Sequence, residues 1–279
     1  MVKTLYVSDL DATLLDRRSM VSGYTKSALN KLISRGIHFT IATGRTTDAA
    51  RAIMADIELS VPIITFNGVI IYDVKNRCYV KVYRLSAKTT AQVVSILKAH
   101  GVSWLMYELK NNELVSYYDS LEHRPIYEFI EDRKARYNSA FSYVSDLRNV
   151  PAEHIIYFTL IDEYDRIRPV YDALKSIPNI NITMVDDTSV NGLWWLEISG
   201  AEASKESSII FFRETYGYAT VIGFGDNYND LPMFKVCDVS VAVKNALDEV
   251  KAAADHICEA HDNDGVVKWI ANHMERRTV

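Results

Sequence analysis

The N-terminal part of the chain alternates short apolar runs with segments whose apolar residues recur at helical spacing. Three runs have the length and continuity of strands buried in a parallel sheet: residues 5–7, 37–42 and 62–66. Between them, segment 22–35 has a helical apolar pattern that ends at Gly36, and a second helix is predicted from Thr46 or Thr47 to about Ile57. Strand, helix, strand, helix predicts right-handed βαβ units and an α/β fold.

The pattern changes after residue 66. Asn67 and Gly68 stand between two apolar runs, which is a strong signal for a β-hairpin, and residues 69–74 and 78–83 read as hairpin strands. Beyond residue 85 the chain becomes rich in tyrosine, and predicted helices and strands alternate without repeats or low-complexity segments. The helices are predicted near residues 87–99, 121–133 and 164–176. The strands are predicted near residues 102–109, 114–118, 141–144, 155–161 and 180–185.

We expect the first sheet to resume at residues 195–199. Lys205 then opens a helix that ends at Gly217, and residues 220–223 form the next buried strand. The remaining predicted elements are strands at 239–243 and 257–258 and helices at 246–253 and 265–273. The chain is therefore predicted to have two domains, a discontinuous one of residues 1–84 and 191–279 and an inserted α/β domain of residues 85–190.

Composition and charge narrow the range of partners. The chain has 279 residues, of which 48% are hydrophobic and 24% charged, and its net charge is −5. A negative protein offers no broad basic surface to nucleic acid or to an anionic membrane, so small phosphorylated metabolites fit better. Neither a G-x-G-x-x-G nor a P-loop pattern occurs, which argues against binding of dinucleotides or of nucleotides at a P-loop.

Cysteine usage and hydropathy bear on the compartment. The three cysteines are odd in number and widely spaced, so we expect neither a disulfide framework nor a zinc site. The N-terminus has no secretory leader pattern, and the longest apolar stretches are far shorter than the ~18 residues of a membrane span. These observations predict a cytoplasmic protein that does not enter a membrane.

The first predicted strand ends in two carboxylates. Residues 5–13 read L-Y-V-S-D-L-D-A-T, which places Asp9 and Asp11 at the carboxyl end of the strand, where ligands collect in open α/β sheets. Two adjacent carboxylates repel each other, so they require a shared proton or a hard divalent cation such as Mg²⁺. Asp9, Asp11 and Thr13 are also ordinary turn-forming residues, and by themselves they leave both interpretations open.

Three further polar features follow other strands or open helices. They are Thr43 after the second strand, Lys205 at a helix start, and Asp226 and Asp230 in the segment G-D-N-Y-N-D. Each has an ordinary alternative, since lysines are mostly solvated and Thr or Asp often cap helices. A chance occurrence of all of them in one order along the chain is a much weaker explanation than a shared site.

These segments resemble the four motifs of the haloacid dehalogenase superfamily of phosphohydrolases. The matching stretches are D-L-D-A-T, T-G-R, the lysine of A-S-K-E-S, and G-D-N-Y-N-D. Residues 85–190 fall where the Cof-type sugar-phosphate phosphatases carry a large α/β cap, and V-P-I-I-T-F-N-G-V, V-A-V-K-N-A and N-D-G-V are similar to further signatures of that branch. The resemblance implies a Rossmann-like parallel-sheet core with an inserted cap, and Mg²⁺-dependent hydrolysis of small phosphomonoesters such as sugar phosphates.

The resemblance also implies roles for individual residues. Asp9 is the expected nucleophile, which forms an aspartyl-phosphate and binds Mg²⁺ together with Asp226 and the main-chain carbonyl of Asp11. The Asp11 side chain is the expected general acid and base. Thr43 is expected to donate a hydrogen bond to the phosphoryl group, and Lys205 to contribute a positive charge.

Four more residues complete this expectation. Gly44, Arg45 and Asn229 are expected to contact the substrate, and Asp230 to lie in the outer coordination sphere of the metal. The chain departs from the family pattern at Ala12, where glycine is usual, and at Lys244. If position 12 requires a positive φ, alanine strains the turn.

Two other functions use similar residues. A phosphomutase forms the same aspartyl-phosphate but returns the phosphoryl group to its substrate, and a receiver-like signalling module phosphorylates an aspartate at a strand end. The insertion of about one hundred residues and the position of Asp11 argue against the receiver. The sequence leaves open the physiological substrate, the cap residues that select it and the oligomeric state.

Overall fold

The structure is a computed structural model, and it describes residues 3–186 and 192–276. The chain divides into two compact units, one of Met1–Lys81 with Ser204–Val279 and the other of Val82–Ala203. The predicted domain boundary at residues 190 and 191 lies outside the described residues.

The elements of the two units follow one another along the chain. The first unit begins with β1 (Thr4–Ser8), α1 (Gly23–Ser34), β2 (His38–Ile41), α2 (Thr47–Ile53), β3 (Ile63–Thr65), β4 (Ile70–Asp73) and β5 (Cys78–Val82). The second unit contains α3 (Ala87–Ala99), β6 (Leu105–Lys110), β7 (Glu113–Tyr118), α4 (Arg124–Tyr137), β8 (Phe141–Tyr143), β9 (Ile155–Glu163), α5 (Tyr164–Leu174), β10 (Ile180–Asp186) and β11 (Leu193–Gly200). The first unit continues with α6 (Lys205–Tyr216), β12 (Thr220–Gly225), α7 (Leu231–Val236), β13 (Val239–Val243), α8 (Asp248–Ala253), β14 (His256–Cys258) and α9 (Gly265–Arg276).

A parallel sheet forms the centre of the first unit. In the described part of the chain its strand order is β14-β13-β12-β1-β2. The interior strand β1 is almost entirely buried, which explains its continuous apolar sequence. Because Ser8 is level with both Phe224 of β12 and Ile41 of β2, the carboxyl ends of these three strands lie at the same edge of the sheet.

The helix boundaries follow local capping chemistry. Ser22 and Thr46 cap α1 and α2 by accepting hydrogen bonds from main-chain amides of the first turn. Gly36 and Gly217 follow α1 and α6 with φ of 91° and 68°, values that glycine adopts without steric cost. The predicted ends at Gly36 and Gly217 and the cap at Thr46 are confirmed.

The Asn67-Gly68 segment connects two antiparallel strands, as predicted, but through a longer turn. β3 pairs with β4 from Ile63 opposite Tyr72 to Thr65 opposite Ile70, and a 3-10 turn at Phe66–Gly68 joins them. β3 also reaches the parallel sheet through a bridge between Ile64 and Ala42. The turn therefore lies beside the end of β2 rather than at a remote hairpin tip.

The second unit has its own sheet and core. Among the residues described, its strand order is β10-β11-β9-β6-β7-β8. The prediction that residues 195–199 resume the first sheet is wrong, because β11 pairs antiparallel with β9 and β10. Leu196 and Ile198 of β11 pack into the core of this unit with α3 and α5, so burial of this apolar face determines where the strand lies.

Candidate active site

Three carboxylates from two strand ends converge in the first unit. Asp9 follows β1, and Asp226 and Asp230 follow β12. One oxygen atom from each lies within 4.8 Å of the other two. The main-chain amide of Asp9 continues the parallel ladder by donating to Phe224 at 2.9 Å, so β1 and β12 bring both acidic segments to the same edge of the sheet.

A buried lysine connects two of these carboxylates. The Lys205 ammonium donates to Oδ1 of Asp9 at 2.6 Å and to Oδ1 of Asp230 at 2.7 Å. Its side chain is 1% exposed, so the interpretation of Lys205 as a solvated helix residue is wrong. Lys205 is the first residue of α6, where Ser204 and Ser207 form a reciprocal capping box that holds the helix start.

The electrostatics of this cluster favour an additional cation. Burial raises the pKa of the Asp9 carboxyl well above its ordinary value, although the Lys205 ammonium opposes this effect. Burial and the neighbouring Asp230 carboxylate raise the pKa of Asp226 to about 7. Burial alone would lower the pKa of Lys205, but its two carboxylate partners raise it above the ordinary value. When all three carboxylates are ionised, as metal ligands must be, the single ammonium leaves two surplus negative charges, which one divalent cation would balance.

Asp230 differs from the other two carboxylates because donors from its own loop already bind it. Its Oδ2 accepts from the main-chain amides of Asp226 at 2.9 Å and Asn227 at 3.2 Å, and its Oδ1 binds Lys205. Gly225 permits this packing, since a Cβ atom there would lie 2.5 Å from the Asp230 side chain. Asp230 therefore holds the loop and the lysine, whereas Asp9 and Asp226 are better suited to bind a metal directly.

The loop after β1 presents the second carboxylate of the first motif. The Arg45 guanidinium donates to Asp11 from Nε at 2.8 Å and from Nη2 at 2.6 Å, which is a bidentate ion pair. Ala12 has φ of 53°, so alanine here occupies a left-handed conformation that glycine would adopt more easily. Asn245 supports the strained residue by donating to its carbonyl oxygen at 2.7 Å.

The Thr43–Arg45 segment follows β2 at the same edge. The buried Thr43 hydroxyl accepts a hydrogen bond from the Arg45 amide at 3.1 Å, which leaves its hydrogen available for donation. A Cβ atom on Gly44 would lie 3.1 Å from the Asn67 side chain. Asn229, from the second acidic loop, donates to Oδ1 of Asn67 at 3.4 Å.

Two residues of this network were not among the site residues predicted from the sequence. The Thr13 hydroxyl donates to Oδ1 of Asp226 at 2.8 Å and so joins the two acidic loops. Asn67 lies between Gly44 and Asn229 although its sequence context indicated only a hairpin. The threonine at the end of D-L-D-A-T was a visible signal, but the long-range contacts of Asn67 had no sequence signal.

The donor set is suited to a hard metal ion. Among the described residues, Asp9, Asp226 and Asp230 form the group of acidic, histidine or cysteine side chains that could hold an ion. All of its ligand atoms are carboxylate oxygens, which Mg²⁺ prefers over nitrogen or sulfur. The site thus fits a divalent cation at Asp9 and Asp226.

The fold and the site define a class of protein, a parallel α/β protein with a buried acidic cluster at its strand ends that could hold a cation. Residues 6–270 match the family of haloacid dehalogenase-like hydrolases, and the chain belongs to that family. The chain is 26% identical to 5-amino-6-(5-phospho-D-ribitylamino)uracil phosphatase YwtE of Bacillus subtilis, over 94% of this chain and 95% of the relative. It is 22% identical to pyridoxal phosphate phosphatase YbhA of Escherichia coli, over 95% and 97%.

Solved structures share the fold over nearly the whole chain. A haloacid dehalogenase-like hydrolase from Bacteroides thetaiotaomicron superimposes with a TM-score of 0.81 at 22% identity, over 97% of this chain and 99% of the other. The subclass IIB sugar phosphatase BT4131 gives 0.77 at 20% identity, over 97% and 98%. The predicted family, fold class and enzyme class, a haloacid dehalogenase-type phosphoric monoester hydrolase, are confirmed. Within the described chain, no helix has both the length and the apolar character to cross a membrane.

Proposed function

We propose that this protein is a Mg²⁺-dependent phosphatase that hydrolyses small phosphomonoesters through an aspartyl-phosphate on Asp9. One observation carries the proposal. The buried Asp9 carboxylate is bound by Lys205 at 2.6 Å and shares its surroundings with Asp226 and Asp230. A nucleophilic carboxylate beside the buried Lys205 ammonium suits phosphoryl transfer. That reaction depends on positioning the reactants and on neutralising the charge of the phosphoryl oxygens.

In the first step, a carboxylate oxygen of Asp9 attacks phosphorus and the bond to the ester oxygen breaks. Asp11 gives a proton to the departing alkoxide. Lys205 and the Thr43 hydroxyl bind phosphoryl oxygens, and the Arg45 fork suits a phosphate as well as a carboxylate. A substrate anion that competes for Arg45 would loosen the ion pair of Arg45 with Asp11. Asp11 could then take up a proton from solvent, which is the proton that it gives to the alkoxide.

In the second step, water attacks phosphorus of the aspartyl-phosphate. Asp11, now ionised, accepts a proton from the water, the bond to the Asp9 oxygen breaks, and inorganic phosphate leaves. Asp9, Asp226 and the main-chain carbonyl of Asp11 would hold Mg²⁺, which when bound offsets negative charge on the phosphoryl group. Asp230 keeps Lys205 and the Asp226 loop in place through both steps.

The names of the relatives support a small phosphorylated metabolite as the substrate. We take sugar phosphates, pyridoxal phosphate and 5-amino-6-(5-phospho-D-ribitylamino)uracil as the first compounds to test, since relatives are named for activity on such compounds. The second unit, Val82–Ala203, is proposed to act as the cap that selects the alcohol part of the substrate. A reducing compartment such as the cytoplasm agrees with the three free cysteines of the chain.

The test is phosphate release combined with rapid-quench mass spectrometry. With p-nitrophenyl phosphate, whose leaving group needs little protonation, Asp11→Asn should give a burst and then a stall, with a phosphoryl group on the peptide that contains Asp9. Asp9→Asn should give neither burst nor adduct, and the exposed control Asp248→Asn should turn over like the wild type. An adduct on another residue, or none in any form, would refute the mechanism. With a sugar phosphate, return of the phosphoryl group to the substrate instead of transfer to water would indicate a phosphomutase.

A further inference from the structure

The turn at Phe66–Gly68 contacts the segments that carry three of the four motifs. The main-chain amide of Phe66 donates to the main-chain oxygen of Arg45 at 3.0 Å. The main-chain amide of Asn67 donates to the main-chain oxygen of Thr43 at 2.9 Å. These two bonds tie the turn to the segment after β2. The turn therefore sets the position of the main chain on either side of Gly44.

The same turn packs against the start of the helix that carries Lys205. A Cβ atom on Gly68 would lie 2.1 Å from the main-chain oxygen of Ser204 and 2.9 Å from the amide nitrogen of Lys205. The Ser208 hydroxyl donates to the Gly68 carbonyl at 3.4 Å. The start of α6 is thus in direct van der Waals contact with the turn, with no space for a side chain between them.

The backbone of the turn is unusual. Phe66, Asn67 and Gly68 have φ of 51°, 52° and 103°, three consecutive residues in a region that non-glycine residues seldom occupy. Asparagine tolerates this region better than most residues, and phenylalanine does not. Such strain persists only where surrounding contacts hold it, and here those contacts are the segments of the proposed active site.

The side chain of Asn67 is the part of the turn that reaches the fourth motif. Its Oδ1 accepts from Nδ2 of Asn229 at 3.4 Å, and the amide lies against Gly44. The side-chain amide nitrogen of Asn229 carries two hydrogens. Because one of them is donated to Asn67, the other points away from Asn67. Gly44 leaves the space in which the Asn67 amide lies.

We propose that Asn67 is a positioning residue that orients Asn229 toward the phosphoryl group, an inference that rests on the proposed phosphatase function. Asn67 acts through Asn229, and the rest of its turn fixes the Thr43 segment and the start of α6. Loss of this side chain lowers turnover without removing any group that reacts. Loss of one such hydrogen bond corresponds to a decrease in kcat of about tenfold.

The experiment is a double-mutant cycle on phosphate release, with Asn67→Gly, Asn229→Ala and their combination. Glycine keeps the positive φ and removes only the side chain, so the melting temperature should stay close to that of the wild type. Asn138→Gly is the matched control, since Asn138 has φ of 53° at the end of α4 in the other unit. We expect Asn67→Gly to lower kcat about tenfold, the control to leave it unchanged, and the double variant to match Asn229→Ala alone.

A second variant distinguishes the contribution of the side-chain oxygen of Asn67 from that of its backbone conformation. Asn67→Asp keeps both the positive φ and an oxygen acceptor, so kcat should stay close to the wild-type value while KM rises through repulsion of the substrate anion. Additive effects in the cycle, or an Asn67→Asp variant as slow as Asn67→Gly, would overturn the positioning role. Wild-type protein that releases no phosphate would instead refute the proposed function.

Discussion

The replacement of Lys205 by methionine tests the charge balance of the site most directly. Methionine keeps most of the volume and removes the ammonium that lies 2.6 Å from Asp9 and 2.7 Å from Asp230. Breaking a buried ion pair from one side costs about 3–5 kcal/mol, because the remaining charges are left without compensation. For a unit of this size, each kcal/mol lowers the melting temperature by about 2–4 °C, so a decrease of about 6–20 °C is expected.

Thermal unfolding followed by circular dichroism near pH 8 measures this decrease. Protonation of a carboxylate, which would relieve the repulsion, becomes less favourable as the pH rises. The matched control is Lys251→Met. Lys251 pairs with the almost fully exposed Asp248 on the surface of the same unit, and such pairs contribute at most about 1 kcal/mol. The double variant Lys205→Met/Asp230→Asn should recover part of the loss, because it also removes one of the surplus charges.

Magnesium provides a second readout on the same variant. Without Lys205 the cluster has three surplus negative charges instead of two, so Mg²⁺ should raise the melting temperature of the variant more than that of the wild type. At about one hundred times its dissociation constant, a ligand that binds only the folded state stabilises it by about 2.7 kcal/mol. A variant that melts within about 2 °C of Lys251→Met, with or without Mg²⁺, would refute the assigned charge balance.

Three further outcomes are expected. Phosphatase activity should vanish with a chelator and return with Mg²⁺ but poorly with the larger Ca²⁺, and full activity in excess chelator would contradict a metal requirement. Gly68→Ala should displace the start of α6 and abolish most phosphate release, whereas Gly101→Ala, which has φ of 61° and open space around it, should cost only about 1–2 kcal/mol of stability. A thiol reagent at pH 8 should label one cysteine of the native protein, the exposed Cys78, because burial raises the pKa of Cys237 and of Cys258 to about 12 and keeps both as thiols. Labelling of all three in the folded protein, counted by mass spectrometry, would contradict this burial.

The features that the sequence determined by itself are those with a local physical cause. Continuous apolar runs predicted β1, β2 and β12, because strands buried on both faces are mainly apolar. Gly36 and Gly217 marked helix ends because a positive φ is required there. The acidic segments could be assigned to one edge of the sheet because parallel strands align their carboxyl ends.

Ala12 is an intermediate case. The resemblance to the family indicated that alanine stands where glycine is usual, so strain was expected if φ were positive. The value of 53° meets that condition, and the compensating bond from Asn245 comes from a distant part of the chain. Local chemistry predicted the strain, and the tertiary contact that supports it could not be predicted.

Other features were decided only by the tertiary structure. Residues 195–199 have a strand pattern that fits either sheet, and the partner strands β9 and β10 determined the outcome. Lys205 has the sequence context of an ordinary helix residue, and its burial follows from the carboxylates that α6 brings it to. Asn67 reads as a hairpin residue, yet its contacts with Gly44 and Asn229 come from segments far apart in the chain. The pattern of residues in a short segment specifies its backbone conformation. The environments of these side chains, in contrast, are formed by residues that only folding brings together.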